Sequence, residues 1–236
     1  MTPSIDYNLV LKGLGYKNQI IAKDLSNEIH NCIKNCITYS NPKYCYRVMD
    51  IKHISESEIE LCNSTLTLKS KNLCYHLRNA SKVVVFATTL GVSFDNYLRI
   101  SQIKSINSAL ILDVCANEYI ESFCDFLQED IRQKEALSNY MFLPRFSPGY
   151  GDFDISIQPS ILDILNAQRL IGLTCSSTFI MLPRKSVSAI IGLIHKNDAP
   201  TKHYIDDSAC GICQFNENCE LKKGGFICGR KRIPEK

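Results

Sequence analysis

The sequence predicts an α+β chain. A mixed, largely antiparallel sheet is expected to pack with helices, and a small cysteine-rich C-terminal tail follows. Three observations carry this. Helical and strand periodicities succeed one another irregularly, without strict alternation. Two strand-like runs, residues 178–182 and 186–194, stand side by side, separated only by Pro183-Arg184-Lys185. Beyond Asn197 the apolar patterning fades and Cys210, Cys213, Cys219 and Cys228 crowd together. The boundary is therefore expected there, giving a domain over residues 1–196 and a tail over 197–236. A doubly wound dinucleotide fold is disfavoured: Gly13-Leu14-Gly15 is a lone G-x-G that follows no strand.

Along the chain, Ile21, Leu25, Ile29, Cys32 and Cys36 share one face of a helix expected over 17–38, which reads both cysteines as core packing. Asn41-Pro42 breaks that pattern. Strands are expected over 44–51 and around Ile59 and Leu61, and a helix over 67–79. The run Lys82-Val-Val-Val-Phe-Ala87 reads as a buried strand, followed by a helix carrying Phe94 to Ile103. A long helix is expected over about 108–135, with Ile120, Phe123, Cys124, Leu127 and Ile131 as its apolar stripe. Residues 138–159 read as a loop; Ser160 and Asp163 then suggest a helix start and Gly172 its end.

Composition narrows the function classes. Lys and Arg number 27 against 24 Asp and Glu, and a net charge of +3 with no basic run argues against nucleic acid. No apolar run approaches the ~20 residues of a membrane helix. Met1-Thr-Pro-Ser-Ile-Asp6 has no signal-peptide pattern, so a cytoplasmic location is expected, with the 12 cysteines as reduced thiols or metal ligands.

The most informative stretch is Arg145-Phe-Ser-Pro-Gly-Tyr-Gly-Asp152. Pro148 fixes its own φ, and Gly149 and Gly151 let backbone come close to a ligand. Arg145 can fork onto a carboxylate, and Tyr150 offers a flat face and a hydroxyl. The same residues also make an ordinary Pro-Gly turn carrying a surface arginine.

Four ordered segments, Val83–Gly91, Ser108–Leu127, Arg145–Phe153 and Pro183–Leu193, resemble the reactivation domain of cobalamin-dependent methionine synthase, most closely its freestanding form. The resemblance covers roughly residues 5–195 and centres on the R-x-x-x-G-Y loop. It implies that this loop binds S-adenosylmethionine. Arg145 would meet the methionine carboxylate, Ser147 and Gly149 would offer backbone groups to the adenosine, and Tyr150 would line the pocket. Glu121 matches an acidic residue that faces the ligand's ammonium group. Glu118, Glu121, Asp125 and Glu129 also read as a solvated acidic stripe, so both readings of Glu121 stand. Where the fused enzymes carry an acidic side chain six residues before the arginine, this chain has Asn139.

The implied job is accessory to a methyltransferase: holding S-adenosylmethionine so that its methyl group reaches cobalamin carried by a methionine synthase lacking its own reactivation domain, with an electron from a separate donor. Two other readings stand beside it: an adaptor that docks on a corrinoid protein without using S-adenosylmethionine, and a cysteine-cluster electron carrier. The tail supports a soft-metal site, either an iron–sulfur cluster or zinc, although C-x2-C-x5-C-x8-C fits no standard zinc spacing closely; free or redox-active thiols are the alternative. His30, His53, His76, His195 and His203 form no ligand-spaced pair and read as structural or exposed.

Overall fold

The computed structural model describes residues 3–17 and 19–198. The tail cysteines Cys210, Cys213, Cys219 and Cys228, and His203, lie outside the described residues, as does nearly all of the tail expected from residue 197. In chain order the elements are α1 (Tyr7–Gly13), α2 (Lys23–Tyr39), β1 (Lys43–Ile54), β2 (Glu58–Leu61), β3 (Thr67–Lys69) and α3 (Lys71–Leu77). Then come β4 (Lys82–Thr89), α4 (Val92–Lys104), α5 (Ile106–Lys134) and β5 (Tyr140–Phe142). The last are α6 (Gln158–Ile164), α7 (Ala167–Ile171), β6 (Thr174–Cys175), β7 (Met181–Leu182) and β8 (Ser186–His195). The architecture is α+β.

The chain divides into two compact units. The first comprises the residues up to Tyr44, Thr88–Ile131 and Ala167–Val187; the second comprises Cys45–Ala87, Arg132–Asn166 and the chain from Ser188.

The first unit holds α1, α2, α4, most of α5 and α7, together with the two-stranded sheet of β6 and β7. Asp6 opens α1 by accepting from the N–H groups of Asn8 at 2.7 Å and Leu9 at 3.4 Å. The stripe Ile29, Cys32, Cys36 on α2 meets Phe94 and Leu98 of α4 and Leu112, Cys115 and Tyr119 of α5 in one buried cluster. Cys32 and Cys36 are core residues, as expected, and burial pushes their thiols up to about 11 and about 12. Gly13 has a packing role: a Cβ there would stand 2.5 Å from Cγ1 of Val114 on α5. Gly13 of the lone G-x-G thus serves close helix contact.

The second unit holds most of a six-stranded sheet in the order β3-β2-β1-β4-β8-β5. β1 pairs with β2, β2 with β3 and β5 with β8, all antiparallel. The two central pairings run the same way. Ile51 N–H donates to Ser81 O at one end of β1 and the Thr88 hydroxyl to Lys43 O at the other. Likewise Ser81 bonds Leu193, while Leu90 bonds Lys185. Every residue from Val83 to Thr89 is buried, which is why that run shows no alternation.

Several element boundaries differ from expectation. Residues 67–79 split into β3 and α3, because Ser70 is extended (φ −177°) and caps α3 by accepting from Leu73 N–H at 2.9 Å. The stretch 138–159 contains β5, bonded to β8 through Phe142↔Leu193. Residues 178–182 do not pair with β8: β7 is only Met181–Leu182 and pairs with β6. The helix expected from Ser160 begins at Gln158 and breaks at Asn166, whose φ is +52°. Gly172 (φ +70°) ends α7, as expected.

Candidate ligand-binding loop

The loop grows out of the sheet. Beyond β5 the chain stays beside β8: Leu143 N–H donates to Gly192 O, and Phe146 and Ile190 exchange both backbone bonds, each of these 2.9 Å long. Phe146 is buried, so by strand alternation Arg145 and Ser147 turn to the opposite side. Both are half-buried.

Two consecutive tight turns follow. Tyr150 N–H donates to Ser147 O at 3.1 Å, with Pro148 in the second position and Gly149 at φ +93° in the third. That is a type II turn, and its third position requires glycine or asparagine. Phe153 N–H then donates to Tyr150 O at 2.9 Å, and Gly149 N–H closes the loop onto Phe153 O at 2.7 Å. A Cβ built on Gly149 would meet no heavy atom within 4 Å among the described residues. Its backbone is therefore open to close approach.

Gly151 differs. It has φ +55°, and a Cβ there would lie 2.2 Å from Asn72 Nδ2. Its missing side chain admits α3, so the expectation that Gly151 lets a ligand approach is replaced by a packing role. Asp152 fastens the turn to the same helix start. Its carboxylate accepts from the Ser70 hydroxyl, from Lys71 N–H at 2.7 Å and from Asn72 N–H at 3.1 Å. Desolvation alone would raise its pKa, but these bonds hold it below the usual carboxylate range.

An aromatic group supports the turn from beneath. Phe146 lies 5.3 Å from the His76 ring, 6.0 Å from Tyr150 and 6.2 Å from Phe153. Phe153 is buried, whereas Tyr150 is 47% exposed and presents much of its ring outward. His76 is buried, and its Nε2 sits 3.0 Å from Pro144 O. Burial holds its pKa below the ordinary histidine value, and Arg78 adds to the effect, while the bond to Pro144 opposes it.

Arg145, Ser147, Gly149 and Tyr150 thus share one short, tightly bonded stretch of the second unit. Glu121 belongs to the first unit, half-buried on α5. The acidic stripe to which it belongs is graded: Asp125 and Glu129 are exposed, Glu121 is half-buried and Glu118 is buried. A wholly solvated face is thus excluded. Among the described residues no cluster of His, Cys, Asp and Glu could hold a metal, and no helix is long and apolar enough to cross a membrane.

Comparison with known proteins adds one firm result. No family model and no curated protein matches the chain. Among solved structures, the MetH reactivation domain bound to AdoHcy matches 95% of this chain and 82% of that chain, with a TM-score of 0.60 at 14% identity. The chain has that fold. The resemblance drawn from its four sequence segments therefore extends to the three-dimensional architecture.

Ser70, His76 and Asp152 were not singled out from sequence as loop supports. Ser70 carried a signal: a serine before Lys71-Asn72-Leu73 is a helix cap, obscured when 67–79 is read as one helix.

Proposed function

We propose that the chain binds S-adenosylmethionine at the Arg145–Tyr150 loop and serves as the reactivation component for a cobalamin-dependent methionine synthase that lacks its own. The observation that carries this reading is the loop's construction: the half-buried Arg145 and the outward Tyr150 stand on either side in sequence of a positive-φ Gly149, whose Cβ position is clear of every described residue. The fold shared with a reactivation domain solved with AdoHcy supports the same ligand class.

In this reading Arg145 pairs with the amino-acid carboxylate as a charge-assisted, forked contact. The backbone of the half-buried Ser147 and the exposed Gly149 takes the adenosine, and the Tyr150 ring forms a wall. The chain's work is to hold and orient a sulfonium for in-line transfer, which needs no acid or base. The partner's cobalamin supplies the methyl acceptor, and a separate donor supplies an electron. Glu121 is the proposed partner of the ligand's ammonium group, tested by its own Glu121→Gln variant, for which weaker binding is expected. The thiols of Cys210, Cys213, Cys219 and Cys228 are proposed as a soft-metal site, tested by iron and zinc analysis after anaerobic purification.

The function is tested by mixing the chain with an inactivated partner synthase, a reductant and S-adenosylmethionine. Recovery of turnover that depends on all three is expected, with Arg145→Ala failing to restore it. Recovery without S-adenosylmethionine would favour the adaptor instead.

A further inference from the structure

The candidate loop is fastened to one short helix at both its ends. Before Arg145, the Pro144 carbonyl accepts from His76 on α3. After Tyr150, the Asp152 carboxylate takes the Ser70 hydroxyl and the N–H groups of Lys71 and Asn72 at the start of that helix. Gly151 packs against the Asn72 side chain, which an added Cβ would force to shift. Residues 145–151 therefore form a strap whose two feet stand on α3. Among the described residues, the strap's backbone bonds to the sheet at Phe146, which exchanges both bonds with Ile190.

From this geometry we propose that α3 is the latch of the ligand loop, with His76 and Asp152 as positioning residues that set where Arg145 and Tyr150 stand. As a statement about ligand affinity it rests on the function proposed above.

His76 is suited to the task in a specific protonation form. A carbonyl can only accept, so Nε2 carries the hydrogen and Nδ1 is a bare acceptor. Nδ1 is buried without a hydrogen-bond partner among the described residues. The ring lies tilted beside that of Phe146, 5.3 Å between centroids, and Phe146 in turn meets the Tyr150 ring edge-on. Moving the ring would displace Pro144 on one side and Phe146 on the other, and these flank Arg145 in the chain. Asp152 works at the opposite foot, where three donors converge on one carboxylate and leave the turn little freedom to slide along α3.

The test uses the full chain and two readouts: amide hydrogen exchange over residues 145–153, and calorimetric titration with S-adenosylhomocysteine. For His76→Leu, loop exchange rises about tenfold with α5 unchanged, and the Kd for S-adenosylhomocysteine rises about tenfold, as loss of one partly buried hydrogen bond predicts. His76→Gln, whose amide can reach the same carbonyl, restores most of both. That rescue separates hydrogen-bonded positioning from simple filling of space. Should His76→Leu fail to fold, Asp152→Asn at its exposed position replaces it, with the same rise in loop exchange expected. Loop exchange and Kd within twofold of wild type would overturn the latch, as would a glutamine variant no better than leucine. A wild-type chain that binds no S-adenosylhomocysteine would overturn the proposed function, while the exchange comparison still decides the latch.

Discussion

Phe146 and Ile190 exchange both of their backbone hydrogen bonds, each 2.9 Å long. This isolated bridge continues the pairing with β8 beyond the end of β5. It fixes the alternation that buries Phe146 and turns Arg145 and Ser147 the other way. The ligand chemistry proposed here begins one residue on either side of it.

The two loop glycines should respond differently to substitution. Gly149→Ala meets no neighbour but must hold a positive φ, which costs roughly 1 kcal/mol. Gly151→Ala carries the same backbone cost and also drives a Cβ into Asn72. Chemical denaturation should show the second variant to be the less stable, by about 1 kcal/mol or more. Equal losses would refute the assignment of Gly151 to packing.

Asp152→Asn removes a charged acceptor from three donors at the α3 start. Because Asp152 is exposed, solvent screening trims the effect, and a loss of about 1 kcal/mol is expected. The folded-state pKa is depressed, so this contribution is present above the unfolded carboxylate value and is lost as pH falls through the folded one. The gap between wild type and variant in denaturant midpoint should therefore shrink on acidification below about pH 4. A gap independent of pH would count against the carboxylate as the agent.

His76 should make the second unit sensitive to milder acid. Its pKa is lowered in the folded chain, so the unfolded chain binds the extra proton first. Stability is then full above the unfolded value of about 6.5 and declines as pH falls below it. The neighbouring Arg78 acts in the same direction by opposing a second positive charge. Denaturant titrations at pH 7.5 and pH 5.5 should show this loss in wild type and little of it in His76→Gln. The same slope in both chains would exclude His76 as its source.

The core thiols should be inert. Burial raises the thiols of Cys32, Cys36 and Cys115, whereas Cys62 and Cys175 are half-buried. A short pulse of iodoacetamide at pH 8, read by peptide mapping, should label the second pair at least about tenfold faster. Equal labelling would mean that the first unit opens readily or packs differently.

Much of the fold could be read from local pattern, and the failures share a cause. β4 was legible because Val83 to Ala87 is a β-branched and aromatic run, and α5 because its apolar stripe persists over many turns. β5 was not, since Tyr140 to Phe142 is too short to show alternation and is defined by its distant partner β8. Residues 178–182 misled because adjacency to β8 suggested a hairpin, whereas the register is set with β6. At the candidate site, Pro148 and Gly149 announced the turn, since a type II turn favours proline in its second position and needs glycine or asparagine in its third. His76 and Asp152 stayed hidden because their roles depend on α3, which packs against the loop from far along the chain.

The proposed function requires that the Arg145 turn take S-adenosylmethionine. Calorimetric titration of S-adenosylmethionine into wild type and Arg145→Ala tests this most directly. Saturable, one-to-one binding to wild type is expected, weakened at least about tenfold in the variant by loss of a charge-assisted forked contact. No heat at millimolar ligand, or equal affinity in the two chains, would contradict it.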